Sequence, residues 1–172
     1  MPAAALYLQW RILIVTIGLK GGITLRFWLT AGVVLILDRL SKWWIMNNMN
    51  IGDFWTLING FIDIRYIHNK GAAFGIMQGR SLLFMLMAVL VIIGAVYFNQ
   101  KYSPPRMAQY ALGLIIGGAL GNVIDRFLFG SVIDFISVGW FPVFNLADSG
   151  IVCGGILFVL WMLTDDKFRS LE

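Results

Sequence analysis

Long apolar runs recur along the chain at about 27–37, 81–98, 107–124 and 146–163, and the first continues with polar interruptions to about 46. About 20 residues of helix cross a hydrocarbon core, so the pattern predicts four transmembrane helices, at 27–46, 81–98, 107–124 and 146–163. After the first, Asn47, Asn48, Asn50 and Gly52 mark a break, and Ile62-Asp63-Ile64-Arg65-Tyr66-Ile67-His68 then alternates apolar with polar for most of its length. Alternation at period two is a strand pattern. A lone strand in lipid leaves its backbone groups unpaired, so the insert at 50–76 is expected to form a small β-sheet outside the membrane or at its interface. Gly71-Ala72-Ala73-Phe74-Gly75 suits a bend or close packing behind it. The second and third runs are joined by Asn99-Gln100-Lys101-Tyr102-Ser103-Pro104-Pro105-Arg106, which has two basic residues, no acidic one and a Pro pair that breaks helices. It reads as a cytoplasmic turn. The expected fold is therefore a mainly α membrane protein: four transmembrane helices, with a small extracytoplasmic β-sheet between the first and second.

Composition strengthens this picture. With 59% hydrophobic and 13% charged residues and a mean hydropathy of +0.81, 172 residues would not provide enough soluble interior for the apolar side chains. A bilayer has to serve as solvent. The net charge of +4 comes from 13 Lys and Arg against 9 Asp and Glu, but the cations are scattered singly and form no stripe of the kind nucleic acid requires. Charge alone hardly orients the chain. With the Pro-Pro turn inside, seven cations (Arg11, Lys20, Arg26, Lys101, Arg106, Lys167, Arg169) lie on its side and the other six of the 13 lie opposite. Residues 1–26 form an N-terminal extension in which only Ile12 to Leu19 is uninterrupted, without a small-residue cleavage site, so it is not read as a cleaved signal peptide. An interfacial segment, an extension of the first helix and an upstream start all fit it. Residues 166–172 make a short cytoplasmic tail. The single cysteine, Cys153, lies beside Gly154 and Gly155 in the last run, which excludes a disulfide framework and suits a small packing residue.

Candidate chemistry gathers toward the side holding the insert. Asp38 and Lys42 lie one helical turn apart on one face of the first span. In Gly117-Gly118-Ala119-Leu120-Gly121-Asn122-Val123-Ile124-Asp125-Arg126 the helix passes from small to polar residues. Small residues let a neighbouring helix approach closely; Asn122, Asp125 and Arg126 fit either a functional face or a solvated helix end with an internal ion pair. Asp134 is flanked by apolar residues in Val132-Ile133-Asp134-Phe135, and Asp148 opens the last span in Asn145-Leu146-Ala147-Asp148-Ser149. Gly139 and Pro142 can fold the chain back between them. An ionisable residue at membrane depth is a functional candidate, although a loop acid and a carboxylate at a helix N-terminus are the plainer readings. Two carboxylates in a low-dielectric site do not both ionise easily, so one keeps a proton while the other acts as base, as in aspartic proteases. The only histidine, His68, excludes a multi-histidine zinc site and reads as a surface or interfacial side chain; no Walker-type phosphate loop is present.

Taken in order, Asp38-Arg39-Leu40-Ser41-Lys42, Tyr66-Ile67-His68-Asn69-Lys70-Gly71-Ala72-Ala73-Phe74, the Gly117 to Arg126 block, Val132-Ile133-Asp134-Phe135 and Phe144-Asn145-Leu146-Ala147-Asp148-Ser149 resemble the successive blocks of the bacterial lipoprotein signal peptidases (signal peptidase II). The resemblance covers about 27–163. It implies an aspartic endopeptidase of the bacterial inner membrane, acting at the extracytoplasmic face. Such an enzyme removes signal peptides from diacylglyceryl-modified prolipoproteins, cutting before the lipidated cysteine. Asp134 and Asp148 match the catalytic aspartates, and Asp38, Lys42, Asn69, Asn122, Asp125, Arg126 and Asn145 match the polar positions that support the fold or contact substrate. The partners implied are diacylated prolipoproteins, membrane lipids and globomycin-type inhibitors. Neither a cofactor nor a metal is expected, and the enzyme is expected to work as a monomer. Arg39 stands where the family usually has Gln, and Gly75 where Ser is common. Two other readings remain open. A proton-coupled transporter could use Asp38, Asp134 and Asp148 as a relay, but it predicts internal repeats that this sequence lacks. A glycine-rich scaffold leaves Asp134, Asp148 and Asn145 without a role.

Overall fold

The computed structural model describes residues 23–71 and 79–165. The expected N-terminal extension up to residue 22, the tail at 166–172 and most of the glycine-alanine stretch after Gly71 lie outside the described residues. In chain order the elements are helix α1 (Ile23–Asn48), strands β1 (Phe54–Ile58) and β2 (Ile62–Asn69), helices α2 (Ser81–Tyr102) and α3 (Arg106–Phe129), strand β3 (Val132–Val138) and helix α4 (Leu146–Thr164). Of the helices, α2, α3 and α4 are long and apolar enough to cross a membrane. The fourth, α1, is 26 residues long and carries Asp38, Arg39 and Lys42 in its second half. Large apolar side chains such as Leu29, Ile36, Leu86, Leu90, Ile93, Ile156 and Leu163 are exposed on the helix surfaces, which is where lipid would cover them.

The bundle is built around α3. Its helix-forming run starts directly after Pro105, and Gly130, in the left-handed conformation at φ +67°, ends it with a backbone bond to the Arg126 carbonyl. Backbones approach closely on two of its sides. A methyl group at Gly117 would sit 2.6 Å from the Ala31 carbonyl oxygen of α1, and one at Gly154 of α4 would sit 2.6 Å from that of Ala111. Packing of this kind brings the polar ends of α1, α3 and α4 together.

The sheet differs from expectation in where its strands come from. β1 and β2 form a hairpin within the insert expected to hold the sheet, but the sheet has three strands in the order β1-β2-β3, and β3 comes from the segment between α3 and α4. β2 pairs antiparallel with β3, aligning Ile67 with Asp134, His68 with Ile133 and Asn69 with Val132. Tyr66, Ile133 and Phe135 pack with Ile45 and Met49 at the end of α1, so the sheet is seated on that helix. Beyond β3, the chain turns through Gly139 at φ +52° and returns as a bridge between Phe144 and Ile136. That return delivers Asn145 and α4 to the strand carrying Asp134.

Candidate active site

The site begins with a helix cap. Asn145 is the N-cap of α4: its Oδ1 accepts from the Asp148 backbone N–H at 2.8 Å, and its own backbone N–H donates to Asp148 Oδ2 at 3.3 Å. The reciprocal bonds satisfy two donors at the helix start and fix the Asp148 carboxylate. The same Asn145 side chain donates from Nδ2 to Asp134 Oδ1 at 2.7 Å. One residue therefore binds both candidate carboxylates. The 13 residues between them are closed by the Phe144–Ile136 bridge and the cap.

Each carboxylate has a second amide partner. Asn69, at the end of β2, donates to Asp134 Oδ2 at 2.8 Å, and Asn122 of α3 donates to Asp148 Oδ1 at 2.7 Å. Behind Asn122 lies a buried charge cluster. Lys42 Nζ reaches Asp38 at 2.9 Å, Asp125 at 2.7 Å and Asn122 Oδ1 at 3.3 Å, which uses all three of its hydrogens. Arg39 adds ion pairs to Asp125 at 2.5 Å and Asp38 at 3.1 Å. Asp38, Lys42 and Asp125 are fully buried, and removing one member of such a group costs about 3–5 kcal/mol because its partners stay charged in a dry interior. Two further bonds join this cluster to the site: Asp38 accepts from the Ala147 N–H and Asp125 from the Ile133 N–H. Asp125 therefore pairs with α1 cations. Arg126, the neighbour expected to be its partner, turns toward the cavity and stacks over Phe84 at 5.4 Å.

Asp134 is buried at 1% exposure on β3. Burial, reinforced by the charge of nearby Asp148, raises its carboxyl to about 7 against the opposing hydrogen bonds from Asn69 and Asn145. A group with that proton affinity can give or take a proton near neutrality. Asp134, Asp148, Asn69 and Arg126 open onto a cavity of about 470 Å³ whose other walls are mostly apolar, among them Val132, Phe141, Phe144 and Val152. The arrangement joins an acid–base pair to a surface suited to a hydrocarbon-rich ligand.

The sequence model of the family described as signal peptidase (SPase) II matches residues 30–164. The chain belongs to the signal peptidase II family. Among signal peptidase II sequences, the lipoprotein signal peptidase of Syntrophomonas wolfei is 49% identical over 143 residues, covering 83% of this chain and 96% of the relative. That of Rhodococcus jostii is 46% identical over 145 residues, covering 81% and 73%. A solved structure described as a bacterial membrane enzyme, obtained by the in meso method, superimposes with a TM-score of 0.76 at 40% identity, over 80% of this chain and 87% of the other. This signal peptidase II chain is therefore a membrane-embedded peptidase-family protein.

All nine candidate residues fall into one connected network in this signal peptidase II chain. Sequence reasoning did not assign Arg39 or Ser131 to it, and it read His68 as a surface or interfacial side chain. His68 is instead half-buried and hydrogen-bonded at both ring nitrogens, to Tyr66 and Ser131. A period-two pattern marks which strand residues share a face, but it carries no information about a serine 63 positions away.

Proposed function

We propose that this protein is an intramembrane aspartic endopeptidase. It removes the signal peptide from diacylglyceryl-modified prolipoproteins, cutting before the lipidated cysteine at the extracytoplasmic face of the bacterial inner membrane. Asp134 and Asp148 are the catalytic pair. The observation that supports this most strongly is Asn145, whose side chain and backbone bind both carboxylates at the wall of one apolar cavity. The relatives' printed name, lipoprotein signal peptidase, agrees with it.

In this mechanism the pair shares one proton. The ionised carboxylate takes a proton from water as the water oxygen attacks the scissile carbonyl carbon, and the protonated carboxyl gives its proton to the carbonyl oxygen. Collapse of the tetrahedral intermediate breaks the C–N bond: the carboxyl that took the water proton gives it to the departing amine, and a hydroxyl of the intermediate returns a proton to the other carboxylate. Asn69, Asn122 and Asn145 hold the carboxylates. Arg126 faces the peptide in the cavity, while Asp38, Lys42 and Asp125 support the floor. The substrate's acyl chains anchor the bond in the outer leaflet, so lipid contributes to positioning. A cyclic peptide inhibitor of the globomycin type competes for the cavity, and the enzyme acts as a monomer with α1 as a fourth span.

The test is cleavage of a diacylglyceryl-modified prolipoprotein peptide in detergent. Asp134→Asn and Asp148→Asn should each lose activity about a thousand-fold while still unfolding in a cooperative transition at or above the wild-type midpoint. Full activity in either variant would overturn the dyad.

A further inference from the structure

A second hydrogen-bonded chain lies on the opposite face of β2 from Asn69. His68 Nδ1 is 2.8 Å from Ser131 Oγ, and His68 Nε2 is 3.0 Å from the Tyr66 hydroxyl. Tyr66 is 6% exposed and Ser131 1%. The direction of the chain follows from Ser131, whose hydroxyl also lies 3.4 Å from the Phe129 carbonyl, a group that only accepts. Ser131 therefore donates to Phe129 and accepts from His68 Nδ1–H, which assigns the tautomer. Nε2 is then left to accept from Tyr66. Burial, with the charge of Asp125, raises the Tyr66 phenol and keeps that donor protonated.

We propose that His68 is a positioning residue for the catalytic pair: bonded to Ser131 and Tyr66, it fixes the end of β2 so that the next residue, Asn69, presents its amide to Asp134. The proposal rests on Asp134 and Asp148 being that pair.

Three features of the strand support it. The register between β2 and β3 is irregular between Ile64 and Ile67, so the segment beyond is aligned only by the pairs of Ile67, His68 and Asn69. Asn69 is also the last residue of β2, where a strand would otherwise fray. Successive strand residues point to opposite faces, so fixing His68 on the helix side sets the twist with which Asn69 faces Asp134. The His68 ring is held as well, with its centroid 5.4 Å from that of Tyr66 and 6.1 Å, edge-on, from that of Phe129. Ser131 closes the loop from the other side, since it lies between the helix carrying Asn122 and the strand carrying Asp134.

A purely structural histidine would leave the chemistry of the pair unchanged. This one acts through Asn69, whose hydrogen bond favours the ionised form of Asp134. The other groups acting on Asp134, namely Asp148, Lys42, Asn145 and Arg126, keep their own supports on α4, α1 and α3. Loss of His68 should therefore appear in turnover and in the pH profile, with little effect on substrate affinity.

The experiment measures kcat and KM for a diacylglyceryl-modified prolipoprotein peptide across pH, in detergent, with unfolding followed in parallel. His68→Phe keeps the ring contacts and loses both hydrogen bonds; Ser131→Ala removes the acceptor of the His68 Nδ1–H, together with the weak bond to the Phe129 carbonyl, and leaves the ring bonded to Tyr66. Each should lower kcat about ten-fold with KM nearly unchanged. Each should also shift the limb governed by Asp134 to higher pH. The double variant should be no worse than either single one, because both break the same link. His68→Asn, which keeps an N–H near Ser131, should recover most of the rate. An unshifted pH profile in His68→Phe and Ser131→Ala would overturn the proposal, as would additive losses. An inactive wild type would overturn the dyad and this proposal together, whereas an active wild type with an indifferent His68→Phe would overturn this proposal alone.

Discussion

Asn145 shows how much one side chain determines in this site. As an N-cap it satisfies the start of α4, and as an amide it binds Asp134 across the cavity. Its capping role went unread in the sequence, although Asn followed three residues later by an acid is a local signature. The burial of Asp134 was legible, since apolar neighbours on both sides of it imply burial. The pairing of Asp125 with Lys42 and Arg39 was not, because those partners lie on another helix more than 80 positions away. The environment of Asp134 also makes a testable statement about stability. Its carboxyl rises from 3.8 to about 7 in the fold, so the folded protein binds that proton more tightly than the unfolded chain does. Folding is then favoured at low pH, and this contribution is lost as pH rises through the interval between the two values. Asp134→Asn, which cannot ionise, should raise the thermal unfolding midpoint in detergent at pH 8 and leave it close to wild type near pH 4. An equal shift at both pH values would show that the ionised carboxylate carries no folding cost.

At the level of elements, the glycines of the helices divide sharply by environment. Those facing α1 and α4 have no room for a side chain: a Cβ at Gly113 would lie 2.7 Å from the Phe27 carbonyl oxygen, and one at Gly117 would be closer still to that of Ala31. A Cβ at Gly32 of α1 or Gly94 of α2 would meet nothing within 4 Å. Gly117→Ala should therefore force α1 away from α3, cost about 1–3 kcal/mol and lower the unfolding midpoint. Gly32→Ala and Gly94→Ala should leave it unchanged or slightly higher, since alanine is the better helix former. Equal effects at all three positions would show that the close approach is not what these glycines serve. The helices were legible because runs of apolar residues outlast any local ambiguity. β3 was not recognised as a strand because Val132 to Phe135 are all buried, and burial on both faces erases the alternation by which β2 is recognised.

On the scale of the whole molecule, the order of elements places the two ends of the bundle in different settings. The β1-β2 hairpin joins α1 to α2, and β3 joins α3 to α4, while the short Ser103-Pro104-Pro105 connection joins α2 to α3. If every helix crosses the bilayer, the sheet and the cavity share one side, and the Pro-Pro connection lies on the other. The doubtful member is α1, whose charges disqualify it by composition. Yet those charges are spent inside the protein: Asp38 and Lys42 are fully buried against Asp125 and Asn122 of α3. The outward face carries Leu29, Val33, Ile36, Leu37 and Leu40. Hydropathy summed along a helix counts a buried ion pair as if lipid had to solvate it, although its partners neutralise it first. On this argument we propose that α1 is a fourth span, and side-specific labelling on either side of α1 and α2 tests it. With Cys153 replaced by Ala, a cysteine at Gly60 in the hairpin should react with a membrane-impermeant thiol reagent added outside intact cells. A cysteine at Ser103 should react only after the membrane is opened. Labelling of both positions from the same side would remove an odd number of crossings between them, and with it the proposal that the cavity faces the outer leaflet while the Pro-Pro turn faces the cytoplasm; labelling of a cysteine at Leu25, near the start of α1, from the same side as Gly60 would remove α1 as a span.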